Sequence, residues 1–451
     1  MRARAPTQLD DRPTGAERFT STQWGTCAQK TGRRVAGFAV TLTRHARRPD
    51  VRRIMRVQAL AAVSQVTAAL QLVALLLAVG PGRASDTYVI LFSASQVSVS
   101  VFVIGGLQPL TISRPGYSGW ARWIAAGSIA NAILLAATGG FLLAADYPTA
   151  VVLPTAGVLM ASGACAVTAA VWSVHYAARG RPGVLASITT IPNIVAAVFV
   201  VAAPVAKVPV MCLGLLVGNI VTCALLRGHE EEAPALATHH SARLPRRDVA
   251  GLLASSSVGA GGPFALQAVT ATYSPGQATI LGFASRIAAG VVSVGITAFI
   301  NATTDWTRQS NRPMRLVTQF GYIGVGVGFV LLSLFDLAGV SGIVTAGVAA
   351  TAFVAGAAAQ ACAGRALALG GLLASFRRMA AINVPLYGLG MVALSVGAHT
   401  ATTYFAVIAG ITVVSGLVFS SSLGWRRERA SLVGLSAVAM SIFAVALLAR
   451  A

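Results

Sequence analysis

The residue best placed to do chemistry is Arg286, the one basic residue set inside an apolar block, in the run Phe283-Ala284-Ser285-Arg286. A guanidinium can grip phosphate bidentately, and holding one inside hydrocarbon costs roughly 2.5–3.5 kcal/mol on insertion scales. Gly282 and Gly290 lie one helical turn to either side on the same face, which reads as a groove with room for a ligand. Two readings stand for Arg286. It is a cationic anchor for an anionic head group near mid-bilayer, or an interfacial arginine whose helix begins later. Gln65, Gln71 and Gln96 sit in neighbouring blocks. Each can hydrogen-bond a sugar hydroxyl or a phosphate oxygen without adding charge. With Arg286 they form the expected substrate-binding set.

Other chemistries find little footing. No Asp or Glu stands mid-block: Asp86, Asp146 and Asp336 fall at block ends on one side and Asp305 at the other. Paired acids for group transfer, and carboxylates to take up a coupling ion, are therefore missing. His175 and His399 stand at block ends with no partner that the sequence identifies. Cys27, Cys165, Cys212, Cys223 and Cys362 form no CxxC pair, and four lie in apolar blocks. They read as small buried apolar residues, not as a disulfide framework or a zinc site. His229, Glu230, Glu231, Glu232, His239 and His240 are placed to bind a metal but read as part of a solvated linker. No enzyme activity, cofactor or metal site is expected.

The elements that carry these residues must be membrane helices. The chain is 55% apolar and only 10% charged, with a mean hydropathy of +0.73. Its apolar residues come in blocks of about 20, enough to cross roughly 30 Å of hydrocarbon as a helix. Backbone groups in that core must pair within their own segment, so an all-α polytopic membrane protein is predicted. Thirteen blocks can be read, from near 57–80 to near 431–449. The net charge of +21 resembles that of a nucleic-acid binder, but its placement argues against one. Thirty of the 34 lysines and arginines fall in residues 1–56 or in every second loop, such as Arg179 with Arg181 and Arg377 with Arg378. Arg83, Lys207 and Arg450 lie on the opposite side. This asymmetry predicts a cytoplasmic N-terminus in the cell membrane, with basic loops meeting anionic lipid heads. Nucleic acid is not an expected partner.

Five regions follow. Residues 1–56 form a basic cytoplasmic tail, 57–226 a six-helix lobe, 227–248 a cytoplasmic linker, 249–424 a second six-helix lobe, and 425–451 an extra C-terminal helix. The two lobes resemble each other. Pro81-Gly82 opens span 2 as Pro275-Gly276 opens span 8, Phe92–Gln96 matches Phe283–Arg286, and Gly183–Ser187 matches Gly371–Ser375. Gln96 is thereby aligned with Arg286. An even number of spans per repeat gives both lobes one orientation, related by a pseudo-twofold axis along the membrane normal with the substrate path between them. Gly261, Gly262 and Pro263 mark span 7 as the expected broken helix and hinge, with a plain bend as the alternative.

Gly80 to Ile112, with Gly82, Ser85-Asp86, Tyr88, Phe92 and Gly105, resembles the first helical hairpin of the peptidoglycan lipid II flippases. These belong to the multidrug/oligosaccharidyl-lipid/polysaccharide exporter superfamily. Phe283–Arg286 resembles that family's eighth span, whose arginine faces the central cavity, and Gly364–Gly370 its tenth-span exit. The resemblance covers about 54–425 and implies two six-helix lobes, a V-shaped cavity and alternating access. Gln65 and Gln71 stand where the family usually has arginines, and Val99 or a neighbour replaces another. The family commonly has fourteen spans, where thirteen are read here.

The expected function is translocation of a lipid-linked saccharide, such as a polyprenyl-diphosphate glycan or a lipid II-like precursor. Membrane lipids and glycan-assembly enzymes are the expected partners. The alternatives are a small-molecule exporter of the same superfamily and a non-transporting membrane scaffold.

Overall fold

A computed structural model describes residues 49–113, 119–228, 246–302, 312–340, 342–369, 374–397, 399–425 and 434. The described residues from Ile54 onward belong to one compact unit. The chain is an all-α, multi-pass membrane protein. Among the described residues, twelve helices are long and apolar enough to cross a bilayer. Spans 1 to 6 are Arg52–Val79, Arg83–Thr111, Trp120–Ala144, Thr149–Ala178, Pro182–Ala202 and Lys207–Arg227. Spans 7 to 12 are Val249–Thr272, Gln277–Ala302, Met314–Leu337, Ile343–Leu367, Ser375–Val396 and Ala401–Ser422. The expected thirteenth span (apart from Gly434), most of the basic tail and the His229–His240 stretch lie outside the described residues.

Lipid offers no hydrophobic drive for helix pairing, so small residues must bring backbones into van der Waals contact. Span 9 does this with Gly321, Gly324 and Gly328 against span 10. A Cβ added there would stand 2.8 Å from the Ala359 Cβ, 3.1 Å from that of Ala355 and 2.7 Å from that of Ala352, respectively. Buried polar side chains fasten other pairs. The Asn219 amide donates to the Ser162 hydroxyl at 3.0 Å, joining spans 6 and 4, and Ser415 donates to Asn383 Oδ1 at 2.6 Å, joining spans 12 and 11. Cys165, Cys212, Cys223 and Cys362 are free thiols that are buried or half-buried.

The two basic residues that break the charge asymmetry at one end of the bundle have a local reason. Lys207 Nζ donates to Ala78 O at 2.8 Å, and Arg83 Nη1 to Ala145 O at 3.1 Å. Each cation thus satisfies a carbonyl left open at a helix C-terminus, where the helix dipole also favours positive charge. His175 packs edge-on against Trp120, with ring centroids 4.9 Å apart, and His399 stacks on Tyr273 at 4.0 Å.

Spans 2 and 8 lie side by side and meet at positions 193 or 194 residues apart. Thr279 Oγ1 donates to Ser85 Oγ at 3.1 Å across a separation of 194. Near the other end of the same spans, Gln108 Nε2 donates to Asn301 Oδ1 at 3.3 Å across 193. A constant offset at both ends means that the two spans run parallel and in register. The seam is therefore bridged at both ends, and the V-shaped opening implied by the family resemblance is not seen along it.

Both spans also lose α geometry at the same place. Span 2 is π-helical over Val99–Leu107 and span 8 over Ser293–Thr297, segments that begin 194 residues apart. The Gln108 N–H bonds to Val103 O, and the Ala298 N–H to Ser293 O, each five residues back. Such turns are rare in α-helices and cluster at functional positions. Span 7 was the expected site of a break. It runs instead as one α-helix from Arg246 to Val269, through Gly261, Gly262 and Pro263.

Candidate functional site

Arg286 is the tenth residue of span 8, which begins at Gln277. At 1.5 Å per residue it stands about 14 Å along the helix, well away from either end. Its guanidinium carbon lies 4.1 Å over the centroid of the Phe92 ring on span 2. The Tyr88 hydroxyl is beside the guanidinium as well. Tyr88 and Phe92 occupy successive turns of span 2, with rings stacked 5.5 Å apart. Gln71 of span 1 fixes Tyr88 by donating Nε2 to its hydroxyl at 2.8 Å. In this cluster Arg286 Nη2, a donor, and Gln71 Oε1, an acceptor, are buried without a hydrogen-bond partner. Unsatisfied buried polar atoms are uncommon and mark strain or a missing ligand.

Of the four expected binding residues, Gln71 and Arg286 are brought together through Tyr88. Gln65 is set one turn further along span 8. Its Nε2 donates to Ser293 Oγ at 3.4 Å, and its Oε1 is 3.1 Å from where a Cβ on Gly290 would stand. Gln58 donates to Gly295 O at 3.5 Å, so two span 1 glutamines meet the π-helical turn of span 8. On the other side of the seam, a Cβ on Gly105, in the π-helical stretch of span 2, would run into Ser256 of span 7. Gln96 is half-buried one turn beyond Phe92 on the same face of span 2. In the seam register, however, the residue opposite Arg286 is Phe92.

The groove expected beside Arg286 is filled. Where Gly282 lacks a side chain, Val89 and Gln267 occupy the space, and at Gly290 Gln65 does. These glycines admit neighbouring helices, not a ligand. The hinge glycines also divide. Nothing lies within 4 Å of a Cβ built on Gly261, whereas one on Gly262 would strike the Tyr387 ring.

The seam has a second cluster that the sequence did not single out. The Asp86 carboxylate accepts hydrogen bonds from the Gly276 N–H at 2.7 Å, the Thr279 N–H at 2.8 Å and Thr279 Oγ1 at 2.6 Å. Span 2 thereby supplies the N-terminal cap of span 8, satisfying donors that a helix start leaves open and placing negative charge where the dipole favours it. Gly276 has a φ of +89°, and a Cβ there would stand 2.9 Å from Pro81 Cβ, so only glycine suits both its backbone and its neighbour. Nearby, Tyr147 in the loop after span 3 donates to Ala271 O at 3.0 Å. Burial, and then the Asp86 carboxylate, push the Tyr147 hydroxyl above its ordinary pKa, against a weaker pull from Arg83.

No protein-family model matches the chain, and no curated protein is significantly similar in sequence. Solved structures do match. One described as protein A superposes at a TM-score of 0.55 with 12% identity, covering 84% of this chain and 96% of its own. MATE in complex with MaD3S gives 0.49 at 14% identity, over 86% of this chain and 98% of its own. The lipid II flippase MurJ, in its inward closed conformation, gives 0.51 at 11% identity, over 85% of this chain and 96% of its own. The chain therefore shares its helical fold with the MurJ structure along most of its length.

Proposed function

We propose that the chain is a flippase for a lipid-linked saccharide carrying phosphate, with Arg286 as the head-group anchor. The observation that carries the reading is a guanidinium deep in an apolar span with a buried N–H that makes no hydrogen bond. Such a cation is expensive to keep and is typically functional. A phosphate oxygen supplies both the missing acceptor and the missing charge. Gln71, Gln65 and Gln96 offer amides to sugar hydroxyls around it.

The likeness in fold to a lipid II flippase supports the class of activity. The parallel meeting of spans 2 and 8 supports two six-helix lobes that move against each other about this seam. With the seam bridged at both ends, the conformation fits a closed state between the two access states. On this reading the N-terminus is cytoplasmic, which the basic loops support. An inside-negative potential would then favour outward movement of an anion by roughly 2.3 kcal/mol per charge per 100 mV.

The test is transbilayer movement of a fluorescent undecaprenyl-diphosphate disaccharide in proteoliposomes holding the full chain. Arg286→Ala is expected to stop it. Arg286→Lys should restore it in part, since lysine keeps the charge and loses the planar fork. Full-rate movement by a well-folded Arg286→Ala protein would overturn the assignment.

A further inference from the structure

The charge on Arg286 is met by a ring. No acidic residue stands in the middle of any span. The guanidinium carbon lies 4.1 Å over the Phe92 centroid, where the negative π face attracts a cation. This attraction uses none of the guanidinium's N–H donors, and Nη2 in particular makes no hydrogen bond. The ring is itself held in place, because Tyr88 stacks with it at 5.5 Å and Gln71 bonds Tyr88 at 2.8 Å.

We infer that Phe92 is a positioning residue: beside the Tyr88 hydroxyl, its ring holds Arg286 without a hydrogen bond of its own and so keeps the Nη2 donor of the guanidinium unspent for an oxyanion. The inference rests on the reading of Arg286 as the head-group anchor. A carboxylate in place of the ring would take up the N–H donors that the head group needs. An aliphatic side chain would leave the long arginine free to wander between rotamers. An aromatic ring restrains the cation without consuming a donor, so Nη2 stays unused while the Tyr88 hydroxyl meets another part of the guanidinium.

Fluorination of the ring tests this without changing the packing. Phe92 is replaced in the full chain by 4-fluoro- and then 3,4,5-trifluorophenylalanine, which drain the π face stepwise at nearly constant shape. Two readouts are taken in nanodiscs. The first is the rate at which phenylglyoxal modifies Arg286 in the ligand-free protein, read by peptide mapping. The second is the affinity for undecaprenyl diphosphate. Reactivity is expected to rise step by step, and affinity to fall by about two- to fivefold across the series, the range of a modest cation–π attraction. If neither moves, Phe92 is packing alone and the inference is overturned. If reactivity rises while affinity stays level, the ring holds Arg286 but the head group does not bind there, and the anchor reading fails with it.

Discussion

Arg286 and Phe92 face each other at 4.1 Å from positions 194 residues apart, so one site in the seam holds a cation from span 8 and an aromatic ring from span 2. Ser85 and Thr279 share this offset, which marks a line of matching positions along the seam between spans 2 and 8. On that line Phe92 stands opposite Arg286, the one charge in the middle of either span.

A charge kept for function should be a burden on stability. Its desolvation costs roughly 2.5–3.5 kcal/mol on insertion scales, whereas the ring, in a desolvated setting, returns about 2 kcal/mol. Arg286→Met keeps the bulk and removes the charge. It is expected to raise the thermal midpoint of the detergent-solubilised protein, by the equivalent of about 1–3 kcal/mol, while transport is lost. A lowered midpoint would make Arg286 a structural residue.

Tyr147 gives the fold an alkaline limit. Burial and the Asp86 carboxylate hold its proton more tightly in the folded chain than in the unfolded one. The stabilisation is fully present below the unfolded tyrosine value of about 10 and is lost as pH rises above it, when the unfolded state sheds its proton first. The thermal midpoint is therefore expected to fall above about pH 10, and less steeply in Tyr147→Phe. That variant should also lose about 1 kcal/mol at neutral pH with its bond to Ala271 O. Identical alkaline profiles for the two proteins would discount the role of Tyr147.

Much of this architecture was legible because it follows from solvent. Apolar blocks of membrane length can hardly be anything but helices, and the twelve that the structure describes fall where the hydropathy placed them. The site was less legible, for reasons that can be named. The Pro81/Pro275 offset, carried to Arg286, leads to Phe92; the local match of Phe92–Gln96 with Phe283–Arg286 shifted the register by four and selected Gln96. Glycines at 282 and 290 mark close approach, but a sequence does not say whether a ligand or Val89 and Gln65 will fill the space. The π-helical turns had no signal of their own, since an extra residue in a helix changes no residue type. Asp86 looked like a block-end acid, and only its partners 190 and 193 positions away reveal it as a cap.

The hinge expected at span 7 can be separated from packing by two neighbouring glycines. Gly262→Ala drives a Cβ into the Tyr387 ring and is expected to cost about 1–3 kcal/mol as overpacking. Gly261→Ala meets open space and is expected to stabilise the helix by up to about 1 kcal/mol. If span 7 stays helical through the transport cycle, Gly261→Ala should transport at the wild-type rate. Slow transport by a stabilised Gly261→Ala protein would restore the hinge to span 7.

If bending is instead placed in the π-helical turns, their amides should open more readily than their neighbours. Hydrogen exchange read by mass spectrometry is expected to be faster across Val99–Leu107 and Ser293–Thr297 than in the α-helical turns on either side. Even protection along spans 2 and 8 would argue that both move as rigid rods.

The last expectation concerns the seam at the Asp86 end. Alternating access requires spans 2 and 8 to part at one end at a time, so a covalent tie there should stop the cycle without disturbing the fold. Ser85 and Thr279 are suited to carry it, since their hydroxyls already meet at 3.1 Å and both are buried. The double variant Ser85→Cys with Thr279→Cys is expected to form a disulfide under mild oxidation, lose transport and regain it on reduction. Each single variant serves as the control for loss of the hydroxyl contact. Asp86→Ala should act in the opposite sense: three donors lose their acceptor, at about 1–3 kcal/mol for each buried group left unpaired, and cross-linking of the cysteine pair in that background should slow as the ends separate. A cross-linked protein that still transports at full rate would show that the seam does not open at Ser85 and Thr279, and the moving parts would then have to be sought elsewhere in the bundle.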